Sequence, residues 1–167
     1  KLQSKFENYG DFLKSLEMVG EANVFGEQYL QRINQLTNKT NQFNLTTKRT
    51  TFSEIETIAN SDIHIGIYGR LSDKFGDNGL VSVIAGEIKE AKFYIDIWLM
   101  SCRVLKREME YFMLDELVKE CKKNKVEKLV GVYIPSPKNN MVRNHYKTLG
   151  FKLKNSNEEQ EITEWIL

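Results

Sequence analysis

Between residues 93 and 116 the chain reads FYIDIWLMSCRVLKREMEYFMLDE, and no other run narrows so far what it can fold into. Residues 93–100 are apolar except for Asp96 and rich in β-branched and aromatic types, which suits a strand covered on both faces. After a short link, Ser101, Cys102 and Arg103, the period changes. Met109, Phe112, Met113, Leu117 and Cys121 recur at steps of three and four, a helical stripe. A buried strand therefore feeds an amphipathic helix through a turn that carries Arg103, Lys106 and Arg107. The free amides and positive dipole end of such a helix form a candidate seat for a phosphate, and an ordinary connection is the plain alternative.

The flanking segments build a single α/β unit around that run. Residues 1–16 carry a helical pattern (Phe6, Tyr9, Phe12, Leu13, Leu16), weakened by Gly10, and read as a connector. Residues 17–25 suit a first short strand. Gly26 and Glu27 open a helix with Tyr29, Leu30, Ile33 and Leu36 on one face. Residues 37–51, TNKTNQFNLTTKRTT, contain neither Gly nor Pro and read as a solvated loop or as a polar pocket lining. Ser53 and Glu56 form a capping box for a short helix to about Asn60. Ile63, Ile65, Ile67 and Leu71 alternate as a half-buried strand, and Asn78 with Gly79 signals a hairpin turn. The partner strand covers residues 80–88, with Gly86 at a bend or bulge. A second short turn, 89–92, leads into 93–100, so these three strands make an antiparallel meander. Residues 129–134 form another strand, joined to 93–100 by a right-handed parallel crossover. A helix over 138–149, stopped by Gly150, and closing strands near 151–153 and 162–167 complete the order.

Bulk properties exclude several classes. With 167 residues the chain has one domain's worth of core, and 24 basic residues nearly balance 23 acidic ones. No global field therefore favours nucleic acid or an anionic membrane, and no apolar run is long enough to span a bilayer. Two cysteines, Cys102 and Cys121, make no disulfide framework, and a reduced, cytoplasmic setting is the expectation. His64 and His145 stand apart, so no metal site is expected. His145 reads as a surface residue of the last helix. The non-Met start suggests a piece excised from a longer protein, though a processed terminus would look the same.

The element order resembles the GNAT (acyl-CoA N-acyltransferase) fold, an α/β domain with a mixed, mostly antiparallel central sheet flanked by helices. Here that domain would span 17–167, after the connector 1–16. Asn139, Val142, Tyr146, Gly150 and Phe151 fall on the family's N-x-x-A-x-x-x-Y-x-x-x-G-F pattern, with Val in place of the small residue. The narrower resemblance is to the C-terminal region of FkbH-like proteins, which pair a HAD-type phosphatase domain with a GNAT-like domain and load glyceryl units onto acyl carrier proteins. It is carried by QLTNKTNQFNLTT (35–47), DKFGDNGL (73–80), DIWLMSCRVL (96–105) and residues 133–151. No D-x-D-x-T/V phosphatase motif is present, which suggests an upstream HAD domain that lies outside this sequence.

What the resemblance implies is acyl transfer from a coenzyme A or carrier-protein phosphopantetheine thioester. The thioester arm would lie along 94–100 with Trp98 and Met100, and Arg103, Val104, Lys106, Arg107 and Asn139 would hold the cofactor. Tyr146 would protonate the leaving thiolate, and Asp96, the charged residue of the strand, is the candidate base. Asn41, Asn44 and Thr46 would line the acceptor pocket. Plain alternatives stand beside each role: a paired or exposed Asp96, a packed Tyr146, a surface Arg103, and loop capping by the asparagines. In the family's Q/R-x-x-G-x-G/A phosphate loop the match is RVLKRE (103–108), with Lys106 and Glu108 at the two glycine positions. A glutamate there opposes a phosphate. A second reading follows: a domain that kept the fold and docks a carrier protein or a HAD domain without catalysis.

Overall fold

The computed structural model describes residues 9–167. The amino-terminal half of the expected connector helix lies outside them; its remainder is α1 (Tyr9–Ser15). Seven strands form one sheet: β1 (Val19–Val24), β2 (His64–Asp73), β3 (Gly76–Lys89), β4 (Lys92–Met100), β5 (Lys128–Tyr133), β6 (Lys152–Ser156) and β7 (Glu161–Ile166), in the order β1-β2-β3-β4-β5-β7-β6. Only β4 and β5 pair in parallel, through the crossover helix α4 (Met109–Lys123). The mixed, mostly antiparallel sheet and its flanking helices are those expected from the sequence.

Both faces of the sheet are covered, which is why 93–100 is almost continuously apolar. One core packs α4 against Phe93, Ile95, Trp98 and Met100. The other packs α2 (Leu30–Lys39) and α3 (Phe52–Asn60) against Ile97 and Leu99. Odd positions face α4 up to Ile95, and even positions do so from Trp98 onward. The phase inverts because Gly86 pairs with Ile95 while Ala85 pairs with Ile97, leaving Asp96 as the extra residue of a β-bulge. Gly86 is required there: a Cβ would sit 1.9 Å from the Tyr94 carbonyl oxygen. The expected irregularity at Gly86 is thus a bulge in the facing strand.

Three local expectations are corrected. The β2–β3 turn lies at Lys74 and Phe75, since Asp73 pairs with Gly76. The Asp73 carboxylate accepts the Phe75 amide at 2.8 Å and closes the turn early. Asn78 and Gly79 fall instead in the irregular register between Arg70 and Ser72, where Gly79 takes φ +71° and donates to Asp77 Oδ1 at 2.7 Å. The capping box of α3 is Thr51 with Glu54, bonded reciprocally at 3.1 and 3.0 Å, two residues before Ser53 and Glu56. The helix expected over 138–149 is broken into a 3₁₀ turn (Asn140–Val142) and the single turn α5 (His145–Thr148). Asn139 and Asn144 sit at the two breaks with non-helical dihedrals, as short amides that compete with the helix ladder do.

Gly86→Ala should destabilise the domain by about 3 kcal/mol, the upper end of overpacking, because the clash is with backbone. Urea unfolding checks this, and a loss below ~1 kcal/mol would mean that the bulge does not need glycine.

Candidate functional site

Ladder pairing between β4 and β5 stops at Ile95 and Gly131, although both strands continue. Parallel strands that diverge leave main-chain donors and acceptors without partners on each side of the gap. Residues 43–46 fill it. Leu45 N donates to Trp98 O at 3.0 Å and Met100 N to Phe43 O at 3.0 Å, with Asn44 bridged to Leu99. From β5's side, Ile134 N donates to Leu45 O at 2.8 Å. The strap's side chains lock it in place: Phe43 and Leu45 enter the core, and Thr46 Oγ1 donates to Asp96 O at 2.7 Å.

Two asparagines hold the strap's curvature. Asn44 Nδ2 donates to Thr40 O, and its Oδ1 accepts from the amides of Thr46 and Thr47. Asn139, wholly buried, donates to Asn44 O and Ile134 O, both at 2.9 Å. Its Oδ1 accepts from Ser136 N at 2.8 Å and from the Tyr133 hydroxyl at 3.3 Å. Every hydrogen-bonding position that Asn139 would offer a cofactor arm is therefore engaged within the protein. Asn41 is bound to Arg49 Nη2.

The remaining candidates are distributed around the strap. Asp96 stands in the bulge, half-exposed, 3.3 Å from Lys48 Nζ. Trp98 and Met100 are buried, and Trp98 Nε1 has no hydrogen-bond partner among the described residues. Tyr146 lies flat against β5, where a Cβ on Gly131 would come within 2.7 Å of its ring. Its hydroxyl is shut off from solvent without a partner among the described residues. Burial, reinforced by the negative charge of Asp96, raises its pKa well above the ordinary tyrosine value. His145 corrects its reading as a surface residue. Its ring packs edge-on to Trp98 (4.3 Å) and Phe43 (5.2 Å), and burial lowers its pKa to about 3.

The loop 103–108 keeps the conformation that glycine serves. Lys106 and Glu108 have φ of +62° and +63°, both left-handed, and Glu108 precedes α4 without a side-chain cap. Val104 points into the core. Arg103 is exposed, and Arg107 turns to the β2–β3 hairpin, 2.9 Å from Asp73. Beside the loop runs a groove of ≈ 370 Å³, lined by Phe43, Leu105, Lys106, Glu110 and Tyr111 from one side and Met141 from the other. Burial raises the Glu110 carboxyl, with Glu108 adding to the effect against a backbone hydrogen bond that lowers it. The Glu110 carboxyl in the lining, and Glu108 on the loop itself, oppose a phosphate there. Among the described residues no three His, Cys, Asp or Glu side chains gather as a metal site, and no helix is long and apolar enough to cross a membrane.

The strap was not evident from composition, which is dominated by Asn and Thr. The signal lay in its alternation, Phe43 and Leu45 apolar against Asn44 and Thr46 polar, which is the period of a strand.

No family model and no curated protein matches the sequence. Solved structures do. PaiA N-acetyltransferase from Thermoplasma acidophilum in complex with coenzyme A aligns with a TM-score of 0.68 at 14% identity, over 89% of this chain and 99% of that one. Arabidopsis thaliana NAA60 in complex with a bisubstrate analogue aligns equally well, at 0.68 and 14%, over 89% and 98%. The GNAT domain of S. lividans PAT gives 0.68 and 10%, over 89% and 90%. The chain thus has the fold of the GNAT acetyltransferases.

Two outcomes follow from the buried groups. Asn139→Ala should cost about 3 kcal/mol in denaturant unfolding, since it leaves buried carbonyls unpaired. His145 is held neutral when folded but takes a proton near pH 6.5 when unfolded. Stability should therefore be level above pH 7 and fall by roughly 1 kcal/mol per pH unit from pH 6 to 4.5. Unfolding of His145→Phe should be flatter across that window; an unchanged slope would assign it to other groups.

Proposed function

We propose that this domain is a docking module built on the acyltransferase fold, part of an FkbH-like protein, where it holds an acyl carrier protein beside a HAD-type phosphatase domain in the cytoplasm. The observation that carries this reading is the strap. Its main chain takes up Trp98 O, Met100 N and Ile134 N, the groups a thioester arm would need in the β4–β5 gap. Filled glycine positions and the carboxyl groups of Glu108 and Glu110 act in the same direction. The stretches 35–47, 73–80, 96–105 and 133–151 support the FkbH-like setting by resemblance.

A second reading, acyl transfer from coenzyme A or a carrier-bound thioester, is favoured by one observation: the left-handed backbone at Lys106 and Glu108 preserves the shape of a phosphate loop. In it the strap swings out, Trp98, Met100, Arg103, Lys106 and Asn139 receive the cofactor, Tyr146 serves the thiolate, and Asp96 acts as base. Asn41, Asn44 and Thr46 face the acceptor.

Calorimetric titration separates the two. Docking predicts no saturable heat from coenzyme A or acetyl-coenzyme A up to ~1 mM, where even a weak ligand near −4 kcal/mol would register. It predicts saturable binding of a phosphopantetheinylated carrier protein. Tight binding of free coenzyme A, with turnover that drops ~100-fold in Tyr146→Phe, would install the second reading instead.

A further inference from the structure

On the far side of the strap from the groove at Lys106 lies an open cleft of ≈ 820 Å³. It is bounded by the face of α2 that carries Arg32, Leu36 and Lys39, the residues leading into the strap, the β4–α4 junction and the loop after β5. Arg32, Lys39, Arg103 and Lys138 line it, and among the described residues no carboxylate does. None of the four is in an ion pair with a described residue. The Arg32 guanidinium donates to Gln35 Oε1 and Leu80 O, and Arg103 Nε donates to Ser101 Oγ, so both are positioned by neutral groups that leave the charge uncompensated. The carbonyl end of α2 would repel an anion, but Arg49 Nη1 donates to Thr37 O and Thr40 O at 2.8 and 3.0 Å and covers it.

Three separate segments thus bring four like charges to one concavity, an arrangement that repels itself until an anion enters. Two guanidinium forks and two ammonium groups match an ester phosphate, which offers several acceptor oxygens and up to two charges, better than a single carboxylate. We infer that this cleft is a binding site for a phosphate ester. The inference goes beyond the docking reading and rests on it only for the source of the phosphate. That source is either a small phosphorylated molecule or the phosphodiester of a carrier protein's pantetheine arm.

The experiment is an amide NMR titration of the domain with inorganic pyrophosphate at fixed ionic strength. Saturable shifts are expected at residues 39–42, 101–103 and 138. Arg103→Ala with Lys138→Ala should weaken binding at least ~tenfold, the scale of losing charge-assisted hydrogen bonds. Lys122→Ala with Lys125→Ala, at the opposite end of α4, should leave it unchanged. Absence of saturable shifts, or equal losses in both double variants, overturns the inference. Once pyrophosphate binding is established, competition names the source. Displacement by the phosphopantetheinylated carrier, but not by the apo carrier, assigns the cleft to the phosphodiester. A carrier that binds without displacing pyrophosphate assigns it to a small phosphorylated molecule. A carrier that does not bind at all removes the docking reading and leaves the cleft standing.

Discussion

An extra residue in the central strand sets the terms for everything around it. With Asp96 left out of the ladder, β4 changes the face it presents and turns away from β5 after Ile95. The phase change lets Phe93, Ile95, Trp98 and Met100 all serve one core while Ile97 and Leu99 serve the other. The divergence leaves polar backbone in the middle of a buried sheet, where each unpaired group costs about 1–3 kcal/mol. A fold of this kind must fill the gap with something that hydrogen-bonds like a strand. Here the chain supplies its own filler, and Leu45, fully buried in it, contributes about 2 kcal/mol of apolar burial as well.

The strap in turn organises an aromatic line through the carboxyl-terminal half. Phe43 meets His145, His145 meets Trp98 and Tyr146, Tyr146 meets Phe151, and Phe151 meets Trp165, at centroid separations from 4.3 to 5.5 Å. Edge-on and tilted rings bury large area, but Trp98 Nε1, His145 Nε2 and the Tyr146 hydroxyl have no partner within it. Those three atoms are the polar price of the cluster. They also mark it as the place where stability was not optimised, a pattern often found where a fold has carried a site.

How much of this was legible in the sequence depended on where the information sits. Strand β4, helix α4, the meander and the parallel crossover all follow from periodicity and loop length, which are local signals. Gly86 was readable because a glycine inside a strand has few other reasons to be there. The turn at Lys74 and Phe75 was not, because two Asx-type bonds, from Asp73 and Asp77, outcompeted a strong turn dipeptide. Of the expected site residues, Asn44, Thr46, Asp96, Trp98, Met100 and Asn139 meet around the strap, whereas Arg107 turns to the β2–β3 hairpin and Asn41 to Arg49. What their side chains touch there was beyond reach, since Asn139 meets Asn44 across 95 positions. His145 shows the same limit: Arg143, Asn144 and Lys147 beside it in sequence are polar, and only the fold brings Phe43 and Trp98 edge-on to its ring.

In the loop 103–108, backbone shape and side-chain chemistry are set by different things. Left-handed backbone at Lys106 and Glu108 costs roughly 1–2 kcal/mol each for residues with a Cβ. A loop released from its ligand would be expected to relax out of that geometry. It does not, because its ends are pinned: Val104 is buried in the core, and Arg107 is bonded to Asp73 of the β2–β3 hairpin. The shape is therefore maintained by packing, independently of any ligand. Side chains then decide what the shape can bind, and Glu110 in the groove beside it is acidic, as is Glu108 in the loop. A cleft beside the strap collects four basic side chains instead, Arg32, Lys39, Arg103 and Lys138, and it is there that side-chain charge favours an anion.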